Sequence, residues 1–273
     1  MKRFVVLDKP IGQTPLECME TWRAAQSPTY ADVPMTYAGR LDPMANGALL
    51  ILIGEECKNK DQYLNLDKEY EFEVLFGVST DTHDVLGLIT ETDISIRKNI
   101  TDNAIKRVCE TLTGDITLPY PHFSSKTVDG KPLHQWTLEG RVHEIEIPTK
   151  ASNIYTLRLK KLSTVSVSDL HKEVLKRIDT IAPVTDPKKA LGADFRRQDV
   201  CASWKDFHDA HTSDSLSVAR FSCIATSGTY MRTLATVIGQ ELGTVGLAYS
   251  INRTKIGHYQ PLPIVNGIWT KKY

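Results

Sequence analysis

The sequence has few cysteines, and none of them form a close pair. The five are spread over 273 residues, at Cys18, Cys57, Cys109, Cys201 and Cys223. Disulfide frameworks and zinc sites use cysteines in pairs, so an odd and scattered set is typical of reduced thiols in a cytosolic protein. We therefore predict a cytoplasmic protein whose cysteines hold no metal.

Long apolar runs are also missing. The chain has no stretch of about 18 uncharged apolar residues, which is the length that a membrane-spanning helix needs. Near the start, only residues 4–7 form an apolar run, and this is too short for a signal peptide. We predict a protein with no membrane partner.

The charge has no excess of either sign, with 33 Lys and Arg against 33 Asp and Glu. Nucleic-acid binders are often basic overall, because neutralising phosphates supplies much of their affinity. The balance therefore counts mildly against an RNA partner, although the position of the charges matters more than their sum. Basic residues are frequent in 126–161 and near the end of the chain, and acidic residues in 67–115. On charge alone, these clusters also fit an ordinary solvated surface.

Familiar nucleotide, metal and hydrolase motifs are absent. The sequence contains no GxxxxGK[ST], no GxGxxG after a strand, no HExxH and no GxSxG. Residues 81–87 resemble a calcium loop faintly, but the ligand spacing is wrong and a tight polar turn is the better interpretation. His208 and His211 are best interpreted as surface residues. We predict neither a cofactor nor a bound metal.

What the sequence does contain is a series of short alternating strands with a few capped helices. The strands are predicted at 4–7, 70–76, 155–159 and 218–225, and the helices begin after Thr14, Thr101, Ser166 and Thr229. The stretch 179–216 is polar and irregular, with only a hint of helix near Trp204. Because a regular strand–helix–strand alternation is missing, we predict an α+β fold with a mixed, largely antiparallel sheet and flanking helices.

One carboxylate stands out from the rest. Asp42 precedes Pro43, which favours an extended backbone, and it lies between Gly39 and Gly47, which allow close backbone approach. A turn of this kind can present an acid rigidly into a cleft. On composition alone an ordinary turn aspartate is the favoured interpretation, and the residue types by themselves do not decide between the two.

Five short blocks, in a fixed order, resemble a known family. They are Asp8-Lys9-Pro10-x-Gly12-x-Thr14, Gly39-x-Leu41-Asp42-Pro43-Met44-Ala45-x-Gly47, Lys68-x-Tyr70, Gly77-x-x-Thr80-Asp81-Thr82-x-Asp84-x-x-Gly87 and Gly228-Thr229-Tyr230-x-Arg232-x-Leu234-Ala235. Each block alone is weak, but together, over about residues 4 to 260, they are similar to the motif series of the TruB family. Members of that family convert uridine 55 in the T-loop of tRNA to pseudouridine. Residues 123–131 resemble the start of the family's RNA-gripping insertion, and 253–257 the strand that ends its catalytic domain.

The resemblance implies roles for particular residues. Asp42 becomes the catalytic group, as nucleophile or base, in a redox-neutral reaction that needs no cofactor. Tyr70 would stack on the flipped-out uracil, although it also fits an inward row of its strand. Arg232 would lie beside Asp42 and favour its charged form in a dry pocket. Asp84 would contact the uracil. Further substrate contacts are expected from Tyr37, Lys68, Lys126 and Lys131.

The chain departs from the family pattern in two places. Thr36-Tyr37 stands where the family usually has Gly-His, and Tyr37 could replace that histidine at the RNA by stacking or through its hydroxyl. The chain also ends soon after Gly257, so we expect no C-terminal PUA-like domain. We predict one catalytic domain over 1–273 that includes the RNA-gripping insertion at 119–150 and an additional insertion at 163–216, which could help to bind RNA.

The resemblance implies an enzyme whose partner is the T-arm of tRNA. The sequence leaves the oligomeric state open, and a monomer is the default expectation. The alternative from another class is a non-catalytic RNA-binding or RNA-folding protein on the same scaffold. A carboxylate hydrolase would need a second acid matched to Asp42, and the sequence singles none out.

Overall fold

The computed structural model describes residues 2–95, 100–183, 194, 196–262 and 267–273. Thirteen strands lie within these ranges: β1 (Phe4–Lys9), β2 (Met35–Ala38), β3 (Ala45–Ile53), β4 (Asp67–Phe76), β5 (Val78–Thr80), β6 (Ile89–Thr92), β7 (Gly114–Pro119), β8 (Thr127–Val128), β9 (Lys131–Pro132), β10 (Thr149–Ser166), β11 (Ser215–Ala225), β12 (Gly246–Gln260) and β13 (Ile268–Lys272). The helices are α1 (Pro15–Ala25), α2 (Lys60–Leu64), α3 (Asp102–Thr111), α4 (Leu133–Leu138), α5 (Val167–Thr180), α6 (Arg197–Ala210) and α7 (Met231–Glu241). Short 3-10 helices span Gly54–Asn59 and Val142–Glu144.

A nine-stranded sheet joins elements from the whole chain. Its order is β1-β3-β12-β4-β11-β10-β7, with β2 on β3 and β13 on β12. Only the β3–β12 pairing is parallel among the described strands of this sheet, and the other pairs are antiparallel. The predicted α+β fold with a mixed, largely antiparallel sheet is therefore confirmed.

Helices pack on both faces of the sheet, and they bury β4 from both sides. Its residues Phe72 and Val74 contribute to an apolar cluster with α3 and α7, whereas Leu75, of opposite parity, belongs to a cluster with α5 and α6. Successive strand residues point to opposite faces, so the α5–α6 pair packs on the side away from α7. No helix in the described ranges is both long and apolar enough to cross a membrane.

Three of the four predicted helix starts agree with the structure. The Thr14 hydroxyl accepts from the Glu17 amide at 3.2 Å, and the Glu17 carboxylate accepts from the Thr14 amide at 2.7 Å, which completes a capping box. Thr101 and Ser166 also cap their helices. The prediction for Thr229 is wrong, because its hydroxyl donates to the Thr226 carbonyl at 3.0 Å and closes a turn one residue before the helix.

The predicted irregular stretch 179–216 contains more helix than its polarity indicated. Helix α6 has 14 residues and buries Val200, Trp204 and Phe207 against α5 and the sheet. Few apolar residues among many charged ones made its pattern weak, although Trp204 is completely buried. The strands β10 and β11 pair as far as Ser166 and Ser215. Among the described residues, the part of the predicted 163–216 insertion that departs from the sheet is therefore the α5–α6 pair, and residues 184–193 and 195 of this prediction lie outside the described residues.

Candidate active site

Asp42 lies in the turn that connects β2 to β3. The amide of Ala45 donates to the Asp42 carbonyl at 3.0 Å, which closes the turn. Leu41 and Met44 on either side are buried in the core, whereas the Asp42 side chain is 36% exposed. The apolar neighbours thus anchor the turn and leave the carboxylate accessible, as the sequence interpretation of a rigidly presented acid requires.

A buried arginine supports this turn from below. The Arg253 side chain is almost fully enclosed and donates to the carbonyls of Ala48 at 2.8 Å, Gly39 at 3.1 Å and Arg40 at 3.3 Å. Gly47 has φ +103°, and a Cβ there would lie 2.3 Å from the Arg253 carbonyl oxygen. The close approach of β12 to β3 therefore requires glycine at position 47.

Lys9, the last residue of β1, is also fully buried near the Asp42 turn. Its ammonium donates to the carbonyls of Gln13 at 2.7 Å and Pro10 at 2.8 Å. Burial lowers the pKa of Lys9 to about 8, while the nearby charge of Asp42 acts in the opposite direction. Lys9 therefore places a buried cation near the Asp42 turn.

The structure places Lys68 inside the protein. Its ammonium donates to the Leu64 carbonyl at 3.0 Å, the Ser227 hydroxyl at 3.0 Å and the Leu66 carbonyl. Burial, assisted by the positive charge of Arg253, lowers the pKa of Lys68 to about 7. This environment favours a supporting role for Lys68 over the predicted contact with substrate.

Arg232, in the first turn of α7, holds the Asp42 carboxylate with two donors. Its Nε lies 2.8 Å from Asp42 Oδ2 and its Nη2 lies 3.3 Å from Asp42 Oδ1. The guanidinium is itself fixed, because Nη1 donates to the Thr82 carbonyl at 2.8 Å and Nη2 to the Phe123 carbonyl at 3.1 Å. The Arg232 side chain is only 4% exposed. The pairing that the resemblance implied is therefore present, in the two-pronged geometry that makes such ion pairs strong.

Asp84 approaches the same guanidinium nitrogen as Asp42 does. Its Oδ2 is 3.7 Å from Arg232 Nε, and its Oδ1 accepts from the Thr82 hydroxyl at 2.7 Å and the Leu86 amide at 2.9 Å. Burial raises the pKa of Asp84 to about 6, and the Arg232 charge limits that rise. Asp84 is thus a second, buried carboxylate in the site, held by its own loop.

Tyr70 lies near the beginning of β4, paired across the sheet with Arg253 and Cys223. Its ring packs against the main apolar cluster and keeps some exposure. Burial raises the pKa of the Tyr70 hydroxyl, an effect that the adjacent Arg253 guanidinium opposes and the Asp42 charge increases. Both interpretations of Tyr70 are therefore compatible, because an inward strand residue here also lies near Asp42.

The other predicted substrate-binding residues lie outside the group formed by Asp42, Arg232 and Asp84. Tyr37 is itself aromatic, and each of the two lysines lies beside an aromatic ring. The Tyr37 ring in β2 lies under the Lys60 ammonium, 5.5 Å from it. Lys126 lies 5.4 Å from the Tyr120 ring centroid and Lys131 lies 3.6 Å from that of Trp136. Lys131 also forms an ion pair with Glu139. These side chains present cations and aromatic surfaces outside the Asp42 cluster.

Sequence reasoning missed His83 and Tyr230, which are next to the cluster. His83 has φ +61°, and its Nδ1 is buried with no hydrogen-bond partner in the described part of the chain. Burial, together with the Arg232 charge, lowers the pKa of His83 to about 4. Tyr230 packs edge-on against Tyr120, with centroids 5.5 Å apart. Both residues fall inside the motif blocks given above, and this position in the sequence was the one indication that they lie near the site.

No group of three or more His, Cys, Asp or Glu in the described ranges is arranged to hold a metal ion. The described site offers an accessible carboxylate oriented by a buried guanidinium, beside an aromatic ring and a second carboxylate of raised pKa. Chemically, such a set can attack or deprotonate a substrate while it binds a planar polar ring.

The fold is similar to that of chains in two solved complexes. The chain matches one in "Crystal Structure of a Cbf5-Nop10-Gar1 Complex" with a TM-score of 0.53 and 15% identity, covering 93% of this chain and 48% of that one. It matches one in "Structure of H/ACA RNP bound to a substrate RNA containing 2'-deoxyuridine" with a TM-score of 0.51 and 14% identity, covering 93% and 47%. At these identities the likeness establishes a shared fold.

Sequence relatives have greater identity. "tRNA pseudouridine synthase B" of Aromatoleum aromaticum is 29% identical over 255 residues, which cover 93% of this chain and 63% of that protein. "tRNA pseudouridine synthase 4" of Saccharomyces cerevisiae is 31% identical over 239 residues, which cover 77% of this chain and 57% of that protein. The chain therefore spans about three fifths of the length of these two relatives.

The family model described as "TruB family pseudouridylate synthase (N terminal domain)" matches residues 32–176, a range that includes Asp42, Tyr70 and Asp84. This range covers more than half of the chain, so the chain belongs to the TruB family of pseudouridylate synthases.

Proposed function

We propose that the protein is a tRNA pseudouridine synthase that converts a uridine of the T-loop, uridine 55, to pseudouridine. The observation that supports this most directly is the accessible Asp42 carboxylate, held by two hydrogen bonds from the buried Arg232. Membership of the TruB family and the names of the relatives support an RNA substrate. Cytoplasmic location and a monomeric state stay predictions from the sequence.

The reaction breaks the bond between C1′ and N1, turns the uracil and joins its C5 to C1′, so it is redox-neutral. It needs an ionised carboxylate beside the sugar, acting either as a nucleophile at C1′ or as a base at the 2′ carbon. Arg232 engages both oxygens of Asp42 and is itself fixed by the Thr82 and Phe123 carbonyls. We expect Asp42 to meet the substrate in a fixed orientation, which lowers the entropy cost of the reactive geometry.

The target uridine must leave its stack before it can reach Asp42, at a cost of about a few kcal/mol. Stacking on an aromatic ring stabilises a base by roughly 1–3 kcal/mol and so offsets much of that cost. Tyr70 is our candidate for this ring, since its partly exposed ring lies near Asp42. Asp84, beside the same guanidinium, is our candidate for accepting a hydrogen bond from a uracil N–H.

We propose that the T-arm contacts segment 119–150 and Tyr37. In that segment, Lys126 and Lys131 each lie over an aromatic ring. Cations beside aromatic rings suit a single-stranded or looped RNA, because the cations attract phosphates and the rings accept stacked bases.

The deciding experiment is turnover of unmodified tRNA transcript, with pseudouridine mapped by chemical labelling in wild type and Asp42→Asn. Modification at uridine 55 by wild type alone is the expected result. If wild type bound tRNA but formed no pseudouridine in any RNA tested, the non-catalytic RNA-binding alternative would replace the proposal.

A further inference from the structure

The helix pair α5–α6 reaches the active site through one side chain. Arg196 immediately precedes α6 and has a left-handed backbone, with φ +57°. Its side chain is 20% exposed and points to the two segments that border Arg232. The five motif blocks include neither this residue nor its helix pair.

Arg196 makes two contacts of different kinds. Its Nη1 and Nη2 both donate to the Asp81 carboxylate, the second at 3.3 Å from Oδ1. Its guanidinium lies over the Phe123 ring, with Cζ 4.7 Å from the ring centroid. A planar guanidinium suits this position because it can form the paired hydrogen bonds and stack at the same time.

Both contacts lead directly to Arg232. Thr82, whose carbonyl accepts from Arg232 Nη1, is the residue after Asp81, and Phe123 itself supplies the carbonyl that accepts from Arg232 Nη2. Asp81 Oδ1 also accepts from the Leu88 amide at 2.9 Å, so the whole loop is closed around the residue that Arg196 holds. Arg196 is therefore linked to two of the oxygens that fix the guanidinium.

The beginning of α6 is held in place by hydrogen bonds to the end of α5. The next residue, Arg197, donates to the carbonyls of Ile178 at 2.6 Å and Ile181 at 2.7 Å at the end of α5. About two turns further along α6, Trp204 is completely buried. Because its helix cannot shift easily, Arg196 can impose a position on the Asp81 loop rather than follow it.

We propose that Arg196 is a positioning residue for the isomerisation, which keeps the Thr82 and Phe123 carbonyls at the spacing that directs Arg232 against Asp42. This inference rests on the proposed function. It gives the α5–α6 pair a role in the chemical step, whereas the sequence suggested a role in RNA binding. Since a displacement of about 1 Å at a reactive centre can cost about 100-fold in rate, loss of this support is measurable.

The test compares Arg196→Met and Arg196→Lys in single-turnover assays with enzyme in excess, together with the Kd for the same tRNA. Arg196→Met is expected to lower the rate of the chemical step about 10- to 100-fold, with the Kd changed less than about threefold. Arg196→Lys keeps the positive charge but cannot form the paired hydrogen bonds with Asp81, and it should retain part of the rate that Arg196→Met loses. Arg220→Met is the matched control, because Arg220 donates twice to Glu73 at the sheet surface and should behave as wild type.

Asp81→Asn weakens the contact with Arg196 and leaves the Phe123 contact, so it is a second and milder variant if Arg196→Met unfolds, and it should show part of the same loss of rate. The double variant Arg196→Met with Asp81→Asn should be no slower than Arg196→Met alone, because Arg196→Met already removes the contact with Asp81. Wild-type rates in these variants, or an increase in Kd without a slower chemical step, would overturn the inference and leave the proposed function standing. Absence of turnover in wild type itself would overturn both.

Discussion

Asp42 and Arg232 are 190 positions apart in the chain, yet Arg232 Nε lies 2.8 Å from Asp42 Oδ2. The arginine is buried and the aspartate is partly exposed, so the pair has a fixed side and an accessible side. An ion pair with this asymmetry orients the carboxylate without hiding it. The expected effects of substitutions in the site follow from this arrangement.

Replacing Asp42 by Asn removes the charge and keeps the shape. We expect pseudouridine formation to fall at least about 10⁴-fold, because a neutral amide can act neither as a nucleophile nor as a base. Affinity for tRNA should stay within about threefold. Pseudouridine mapping and a binding titration measure the two quantities. Asp61→Asn, at an exposed position of α2, is the control and should be fully active. Normal turnover by Asp42→Asn would exclude Asp42 as the catalytic group.

Arg232→Met should affect both stability and rate. It leaves the carbonyls of Thr82 and Phe123 without this donor and removes the cation between two carboxylates. Breaking such a buried arrangement costs about 3–5 kcal/mol in free energy of unfolding, reduced here because Asp42 is partly solvated. Urea denaturation measures this loss. Arg232→Lys should keep the charge but lose the two-pronged contact with Asp42. Equal rates for Arg232→Lys and wild type would show that the paired hydrogen bonds are unimportant.

Asp84 should give the site a pH dependence that can be isolated. Its pKa is 3.8 in its ordinary state and about 6 in the folded protein, so the folded state binds the extra proton between these values. The contribution of Asp84 to stability should therefore decline as the pH rises from about 4 to about 6. Unfolding free energies of wild type and Asp84→Asn, compared across this range, measure the effect. A constant difference between the two proteins would contradict it.

The same titration should appear in the rate. If ionised Asp84 accepts a hydrogen bond from the uracil, single-turnover rates of wild type rise with a midpoint near pH 6. Asp84→Asn should lack this rise and be slower at pH 7. If the rate of Asp84→Asn rose with pH as that of wild type does, the rise would belong to another titratable group.

Tyr70 separates stacking from hydrogen bonding. Tyr70→Phe keeps the ring and loses only the hydroxyl beside Arg253, so we expect a rate within about tenfold of wild type. Tyr70→Leu keeps apolar volume but loses the ring, and stacking worth roughly 1–3 kcal/mol predicts a further loss of about 5- to 150-fold. Single-turnover rates measure both. Equal losses for Phe and Leu would assign the role to the hydroxyl.

The lysines of segment 119–150 should control tRNA affinity and leave the chemical step unchanged. Lys126→Ala and Lys131→Ala should each weaken binding and reduce the slope of log K against log salt by about 1. The effect should be smaller for Lys131, because Glu139 already compensates part of its charge. Lys172→Ala, on the exposed side of α5, is the control. An unchanged salt slope would remove this segment from the proposed interface.

The local chemistry of the chain was the most predictable part of the fold. Thr14, Thr101 and Ser166 cap their helices as expected, because a hydroxyl before an amphipathic segment has a nearby amide to accept from. Thr229 does not, because its hydroxyl donates instead to a carbonyl in the preceding turn. Local competition between two acceptable partners is decided by the surrounding structure, which a sequence pattern does not contain.

Long-range features were predictable only through the family motifs. The motifs placed Arg232 beside Asp42, whereas the hydrophobic periodicity of the sequence gave no indication that these two residues lie close together. The motifs also suggested a substrate contact for Lys68, but its ammonium is enclosed by main-chain carbonyls. Arg196 was missed altogether, because its importance comes from the segments that it touches and its own neighbours in sequence give no signal.

The support of the Asp42 turn by Arg253 has a consequence for biosynthesis. The turn lies near the beginning of the chain, and the arginine that holds its carbonyls lies on β12, about 200 residues later. During translation, β1 to β3 leave the ribosome long before β12 does, so the carbonyls of Gly39, Arg40 and Ala48 lack the Arg253 donor until about 200 further residues have been synthesised. We therefore expect the geometry of the Asp42 turn to be completed late in synthesis, and a nascent chain that stalls before β12 to be inactive.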